Sequence, residues 1–584
     1  MSRAIDFGAF SEPRLTPFAR ILLLAVLALA LAARLWGVTF GLPQTLAKPD
    51  EDIVVARASA FFFGDWNPHF FNYPSLFLYL VHFAVRGVYW FGAWRGDYAN
   101  ALEFLIDADY RPELIYLPAR LLSVAFGVGS VYLLYAIGRD AGSRRAGLLA
   151  AFWLAIGYLH GRQSHFGVTD VAAVFFVLGS ILGLVRRTHA GASSSAFFGA
   201  AVFAGLATST KYIGCFLFAP AAILEFRRWR CDPARPNFWR GVVAPLFGFG
   251  LVMVVCFCLT TPYGVLASHE LIRDLKYESE FLDTGYHPIG EPGFKHHSVF
   301  TLPIGLGEPI FAIGVVAVAW MARRDWKLAV AVLGFPLLYF LVTGSGRAVF
   351  VRYILPVVPP LTFAAAWLFD RAFAAVENRM GRRLGAPLFG VCAVLLAAPS
   401  ALRLYHFDRL SAATDTRELA SQWLITNASG STFVQLDVPY ATLRVPDEPS
   451  HAVKRLASRI PPGLEGYVEA YVKKLAAARP MPWLEEWKVQ KDGSFTRDGE
   501  AKSGYPDYIV VQRSRHKDMW ADRQKIVEGL GYVRVAEFRS LPDDGDHRFD
   551  LQDAFYIPYD GFDAVERPGP NVVIYRHPKK KARR

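Results

Sequence analysis

The sequence predicts a polytopic α-helical membrane protein that carries a soluble α/β domain at its C-terminal end, and three observations predict it. Hydrophobic residues make up 53% of the 584 residues. Apolar runs of roughly twenty residues, the length that crosses ~30 Å of hydrocarbon as a helix, recur as far as Ala401. Beyond Ala401 no run is long enough to span, and the composition turns to mixed charge with short alternating segments.

The apolar runs at 18–36, 114–137, 145–163, 170–187, 197–212, 213–226, 241–262, 301–321, 327–343, 351–370 and 385–401 are read as spans. The first resembles a signal peptide, with Ala-Leu-Ala near its end, but the spans that follow make it a retained first helix. The segment Tyr73 to Trp94 is ambiguous, and the distribution of Lys and Arg decides it. If it crossed, the basic loops Arg139/Arg144/Arg145, Arg186/Arg187, Arg227/Arg228/Arg230, Arg323/Arg324/Lys327 and Arg379/Arg382/Arg383 would face away from the cytoplasm. If it lies in the interface, all become cytoplasmic together with Arg3, Arg14 and Arg20. The second assignment, supported by His82 and Arg86 within the segment, gives eleven crossings. The N-terminus is then cytoplasmic and the loops 37–113 and 264–300 external.

The net charge of +12 is spread over these short loops, so it reads as an orientation signal and nucleic acid is not an expected partner. Cys215, Cys231, Cys256, Cys258 and Cys392 lie in spans or in one basic loop, and no structural disulfide is expected. The hydrophobic module covers 1–404 and the external domain 405–584. That domain opens on Asp415-Thr-Arg-Glu418, a capping-box pattern ahead of Leu419, Trp423 and Leu424. Strands are expected at Thr432 to Leu436, Tyr508 to Gln512 and Asn571 to Tyr575. The closing Lys579-Lys-Lys-Ala-Arg-Arg584 reads as a solvated tail.

By this topology the residues capable of chemistry gather on one side. They are Asp50, Glu51 and Asp52 after the first span, Asp170 after the third, Lys211 and Tyr212 after the fifth, and Arg347 and Arg352 after the ninth. A charge at the bilayer centre costs roughly 2.5 to 3.5 kcal/mol, so ionisable groups at span ends tend to face cavities or partners. Lys211 is the sharpest case, being the one lysine set well away from the cytoplasmic edges within the membrane region. Each residue also has a purely structural reading. The three acids suit the first turn of a helix, Asp170 suits a helix start, and Lys211, Arg347 and Arg352 suit interfacial anchors.

In its order of motifs the chain resembles the polyprenyl-phosphate-sugar-dependent membrane glycosyltransferases of the GT-C fold, the group that includes protein O-mannosyltransferases and the lipid A aminoarabinose transferase. The resemblance rests on Pro49-Asp-Glu51, on Gly64 to Leu76, and on Ala119-Arg-Leu-Leu-Ser123. It continues through Ser164 to Asp170, Gly205 to Tyr212 and Arg352-Tyr-Ile-Leu-Pro356, over about residues 15 to 370. Asp415 to Trp423, Pro506 to Val510 and Arg567 to Pro570 extend it less specifically.

The resemblance implies transfer of a sugar from a polyprenyl-phosphate carrier to an acceptor hydroxyl at the external face, by one inverting displacement. Asp50 matches the catalytic aspartate, with Glu51 orienting it or binding acceptor. Lys211, Tyr212, Arg352 and, more weakly, Arg347 would meet the donor phosphate. Asp170 would bridge Lys211 or bind sugar, and His69, Asn72 and Tyr73 would shape the sugar pocket. Arg120 is placed to pair with a first-loop acid. Apart from the resemblance, Glu308, between Gly307 and Pro309 in a span that this context breaks, is placed either to make an interhelical hydrogen bond or to touch acceptor or a metal.

No cofactor is required, although His287, His296 and His297 share a loop with Glu278, Glu280, Asp283 and Glu291 and leave a divalent metal conceivable. The spacing fits no zinc pattern, and a mobile loop that gates the acceptor is the safer reading. The implied partners are the lipid-linked donor, membrane lipids and an acceptor glycan, lipid or protein; the implied location is a bacterial inner membrane. The alternatives are a non-catalytic lipid or sugar transporter and a lipid-linked polysaccharide ligase or polymerase.

Overall fold

The computed structural model describes residues 16–579 apart from 190–192, 233–235, 285–291, 437–439, 458–462, 479–481, 491–492, 498, 514–519, 543–545 and 551–552. Arg3, Arg14, His287, Glu291 and the basic tail from 580 onward therefore lie outside the described residues.

The hydrophobic module is a bundle of helices. α1 (Pro17–Leu35) starts at Thr16, whose hydroxyl accepts the Ala19 N–H, with Pro17 in the first turn where its missing donor costs nothing. A long connection follows, with α2 (Pro49–Ala60), α3 (Leu76–Arg95) and α4 (Ala101–Tyr110). The bundle resumes with α5 (Glu113–Asp140), α6 (Arg144–Ala155), α7 (Tyr158–Gln163), α8 (Thr169–Arg187), α9 (Ser194–Thr210), α10 (Phe218–Cys231) and α11 (Ala244–Thr260). Small residues let these helices approach closely, as is usual where lipid supplies no hydrophobic drive. A Cβ on Gly138 would meet the Gly147 backbone of α6 at 2.2 Å, and one on Gly183 would meet Ala200 of α9 at 2.7 Å.

A turn, α12 (Tyr263–Leu266), leads into α13 (Ser268–Thr284), which turns acids toward the protein and leaves Ile272 and Tyr277 exposed. The remainder comprises α14 (Gly293–His296), α15 (Leu302–Leu306), α16 (Glu308–Arg324), α17 (Trp326–Ser345), α18 (Val358–Met380) and α19 (Arg382–Ser411).

Among the described residues eight helical stretches are long and apolar enough to cross a membrane, or nine if the pair on either side of Gly307, bent by 118°, counts as one. The expected eleven differ for local reasons. The run 145–163 breaks at Gly157, whose extended backbone separates α6 from the polar turn α7. The runs 197–212 and 213–226 form the 17-residue α9 and the 14-residue α10, parted by an extended Lys211 and a 3-10 turn, Tyr212–Leu217. The segment expected to lie in the interface forms α3, twenty residues with the length and composition of a crossing helix. The break expected at Gly307 is present, at φ +86°.

The bundle runs into the C-terminal domain at 412–415, because α19 continues to Ser411. α20 (Thr416–Ala428) is capped by Asp415, which accepts the Arg417 N–H at 2.8 Å, while Glu418 turns away to take the Gln44 amide at 2.8 Å. A seven-stranded mixed sheet follows: β1 (Thr432–Gln435), β2 (Glu485–Val489), β3 (Phe495–Arg497), β4 (Glu500–Lys502), β5 (Tyr508–Gln512), β6 (Val533–Phe538) and β7 (Val572–Arg576), in the order β4-β3-β2-β1-β5-β7-β6. β1 is parallel to β2 and β5, and the other pairings are antiparallel. α21 (Pro449–Ala457), α22 (Glu465–Ala478) and α23 (Trp520–Gly529) complete the domain. Between β6 and β7 the chain leaves the sheet: Phe555, Ile557, Tyr559, Phe562 and Val565 lie in the core of the helical module itself.

Candidate active site

The acids of α2 occupy its first turn, where the helix dipole favours negative charge, behind Pro49. Successive residues of a helix point about 100° apart, so the three carboxylates meet three environments. Glu51 faces inward and is almost wholly buried; Arg120 grips both its oxygens at 2.9 and 2.8 Å, and the Gly167 N–H donates to it at 2.6 Å. Arg120 in turn donates to the carbonyls of Val38 and Phe40, each at 2.8 Å. The expected pairing of Arg120 with a first-loop acid is present, and it takes Glu51 out of reach of an acceptor. Asp52 takes the Tyr116 hydroxyl and the Leu46 N–H, and burial pushes its carboxyl above the usual value.

Of the three, Asp50 is the one that turns toward Arg352. Its carboxylate lies 2.9 Å from Arg352, with side chains 20% and 6% exposed. Arg352 sits in a 3-10 turn, Val351–Val357, with its guanidinium over the rings of Phe350 and Tyr353 at 3.9 and 5.4 Å. Lys211, at the break after α9, reaches Asp170 in the first turn of α8 at 2.6 Å and lies 5.0 Å from the centre of the Tyr353 ring. Tyr353 thus adjoins both cations. The break needs a glycine, since a Cβ on Gly214 would meet the Thr208 backbone nitrogen at 2.2 Å. Tyr73 completes the group. Burial, and next the charge of Asp50, push its phenol well above the usual value.

The remaining expected residues lie elsewhere. Tyr212 donates to the Phe71 carbonyl at 2.7 Å, so it steadies the first-loop turn instead of presenting its hydroxyl to Lys211 and Arg352. Asn72 donates to Glu278 of α13 at 2.7 Å, and His69 lies between Asp65 and Glu270, 3.0 Å from each. Asp274 accepts the Phe71 N–H at 2.7 Å. Glu270, Asp274 and Glu278, spaced i, i+4, i+8 on one face of α13, therefore clasp the turn 67–72. Burial raises the Glu278 carboxyl, and its hydrogen bonds to Asp65 and Glu270 raise the His69 imidazole.

Arg347 is exposed, and its backbone N–H is tied to Leu282 at the end of α13. Glu308 pairs with Arg403 at 2.6 Å, and Arg403 also lies 3.0 Å from Asp560, so this acid belongs to a separate ion-pair group. His296 packs against His297 and Phe300. No group of three His, Cys, Asp or Glu residues is placed to hold a metal ion among the described residues.

Sequence reasoning missed Lys48, Asp550 and Asp553. Lys48 is 1% exposed and pairs with Asp553, which lies 3.6 Å from Arg352; Asp550 accepts the Val351 N–H at 3.0 Å. The available signal was Ala554-Phe-Tyr-Ile-Pro-Tyr559, an aromatic run with no alternation to suit a sheet edge.

Lys48, Asp553, Arg352 and Asp50 thus alternate in charge, with the Lys211–Asp170 pair beside them. The arrangement supplies a carboxylate that can take a proton and two cations that can meet an anion.

Residues 75–232 match the family described as dolichyl-phosphate-mannose-protein mannosyltransferase. In structure the chain is similar to ArnT from Cupriavidus metallidurans bound to undecaprenyl phosphate, with a TM-score of 0.52 at 14% identity, over 96% of this chain and 98% of that one. The chain has the GT-C fold. Its similarity to the apo form of the same ArnT gives a TM-score of 0.50 at 14% identity, over 95% and 97% of the two chains. The apo oligosaccharyltransferase of Archaeoglobus fulgidus gives 0.50 at 12% identity, over 96% and 88%. No curated protein sequence matches the chain. The helices long and apolar enough to cross a membrane, together with the GT-C fold, make this an integral membrane protein.

Proposed function

We propose that the chain is a glycosyltransferase that moves a sugar from a polyprenyl-phosphate carrier to an acceptor hydroxyl at the external face of a bacterial inner membrane. In this reading the N-terminus is cytoplasmic and the C-terminal domain external, on opposite faces as an odd count of nine crossings among the described residues requires. The observation that carries this reading is the convergence of Asp50, Arg352, Lys211 and Asp170, from four separate helical segments, into one buried group of alternating charge. The match of residues 75–232 to a family that uses a lipid-phosphate sugar supports it.

Asp50 acts as base and takes the acceptor hydroxyl proton. The acceptor oxygen bonds to the anomeric carbon as the bond from that carbon to the phosphate oxygen breaks, with inversion. Charge grows on the departing phosphate, where Arg352 and Lys211 strengthen their contacts; donors placed where charge develops lower the barrier because they need no reorganisation. Asp170 holds the Lys211 ammonium in position, and Glu51 with Arg120 fixes the first turn of α2. Since a polyprenyl tail stays in the bilayer, a site at the helix ends suits the donor.

Incubating reconstituted protein with polyprenyl-phosphate sugars and measuring released carrier phosphate tests the proposal. Release that requires Asp50 supports it. Movement of the intact sugar lipid across the membrane without release would establish a transporter instead, and consumption of a diphosphate carrier alone would establish a ligase or polymerase.

A further inference from the structure

The C-terminal domain places one of its own acids in the charged group. Phe555 packs edge-on against Phe40 and Phe166, with ring centres 5.6 and 5.0 Å apart. Arg162 donates to the carbonyls of Pro558 and Ile557 at 2.8 and 3.2 Å, and the Tyr559 hydroxyl donates to the Thr301 carbonyl at 2.8 Å. These contacts anchor the chain just beyond Asp553, so its carboxylate is delivered to a fixed place. There it pairs with Lys48 and stands 3.6 Å from one nitrogen of Arg352, while another nitrogen of the same guanidinium holds Asp50.

Resting on the glycosyltransferase reading, we propose that Asp553 is a positioning residue that sets how tightly the site holds the lipid-borne phosphate, by competing with that phosphate for Arg352 and by occupying Lys48. An entering phosphodiester takes Arg352 from Asp553. After transfer the carrier phosphate is a monoester with more negative charge, and repulsion by the fixed Asp553 carboxylate limits its retention. Burial and the charge of Asp553 push the neighbouring Asp550 carboxyl up.

The test measures binding of undecaprenyl phosphate to the full chain in nanodiscs, together with turnover of a sugar-loaded carrier. Asp553→Asn is expected to bind the carrier phosphate about tenfold tighter, through loss of a like charge, with KM for donor and kcat both lowered because product leaves slowly. Asp553→Glu, which keeps the charge, is expected to behave like the wild type. A structural role alone would weaken binding and turnover together, so unchanged or weaker binding by Asp553→Asn at unchanged thermal stability overturns the inference. If Asp553→Asn does not fold, Asp553→Ser replaces it, with the same tighter binding expected and unchanged or weaker binding overturning the inference. Wild-type protein that binds no carrier phosphate overturns the glycosyltransferase reading itself.

Discussion

The group around Asp50 and the clasp around α13 are both rich in carboxylates, yet they are built on opposite terms. Around Asp50 three acids pair with cations that are buried or nearly so: Asp50 with Arg352, Asp170 with Lys211, Asp553 with Lys48. Around α13 the acids face weaker partners, an amide at Asn72, a backbone N–H at Phe71 and a half-exposed imidazole at His69. Removing one partner of a buried ion pair leaves an uncompensated charge, whereas a clasp held by backbone, amide and half-exposed imidazole partners gives these up to water at less cost. The first arrangement suits fixed chemistry and the second suits an element that opens and closes.

The largest effect is expected at Asp50. Asp50→Asn keeps the shape but removes the proton acceptor, so transfer should fall ~10²- to 10⁴-fold while the fold and carrier binding persist. Near-normal release of carrier phosphate by the purified variant would refute Asp50 as base and shift the role to Glu51 or Asp170. Lys211→Ala comes next, with kcat lowered ~10²-fold, as when one preorganised donor to a developing anion is lost, together with a loss of donor affinity. Lys211→Arg should retain part of the activity, because it keeps the charge in a different geometry. Equal kinetics for Lys211→Ala and wild type would reduce Lys211 to an interfacial anchor.

Glu51 sharpens the contrast with its neighbour. Glu51→Gln leaves Arg120 buried without its counter-ion, a change that typically costs ~3 to 5 kcal/mol. A large fall in thermal stability is expected, where Asp50→Asn shows little. A stable Glu51→Gln protein that binds carrier but does not turn over would restore Glu51 to the chemistry.

How far the sequence revealed this arrangement follows from the range of each interaction. Helix starts, breaks at Gly307 and the strands at 432–436, 508–512 and 571–575 were legible because they rest on local patterns, and those strands form the buried centre of the sheet as β1, β5 and β7. The outer strands β2, β3, β4 and β6, of which β4 and β6 form the two edges, carry mixed charge and show no such pattern. Asp50, Asp170, Lys211 and Arg352 were legible because ionisable residues are rare beside apolar runs. For Tyr212, His69, Asn72 and Glu308 only the fold shows which partner each side chain meets. Lys48 and Asp553 lie some five hundred positions apart in the chain, and nothing local to either marks the pair.

The smallest effect belongs to the clasp and depends on pH. Bonds to Asp65 and then Glu270 raise the His69 imidazole above its ordinary value of 6.5, with burial opposing. The charged groups facing it are Asp65 from its own turn and Glu270 from α13, with His269 3.9 Å from Glu270. Because the folded protein binds this proton more tightly, the contribution of His69 is fully present below pH 6.5 and is lost as pH rises through the raised value. The raised Glu278 carboxyl acts in the same direction at lower pH. With His69 half exposed, solvent screens the interaction and the change is modest. Hydrogen exchange in residues 268–284, corrected for its intrinsic pH dependence, should be a few-fold slower at pH 6 than at pH 8.5, and His69→Gln should abolish the difference. Exchange independent of pH in the wild type would mean that Asp274 and Glu278 hold α13 without His69, and the clasp would then be as fixed as the group around Asp50.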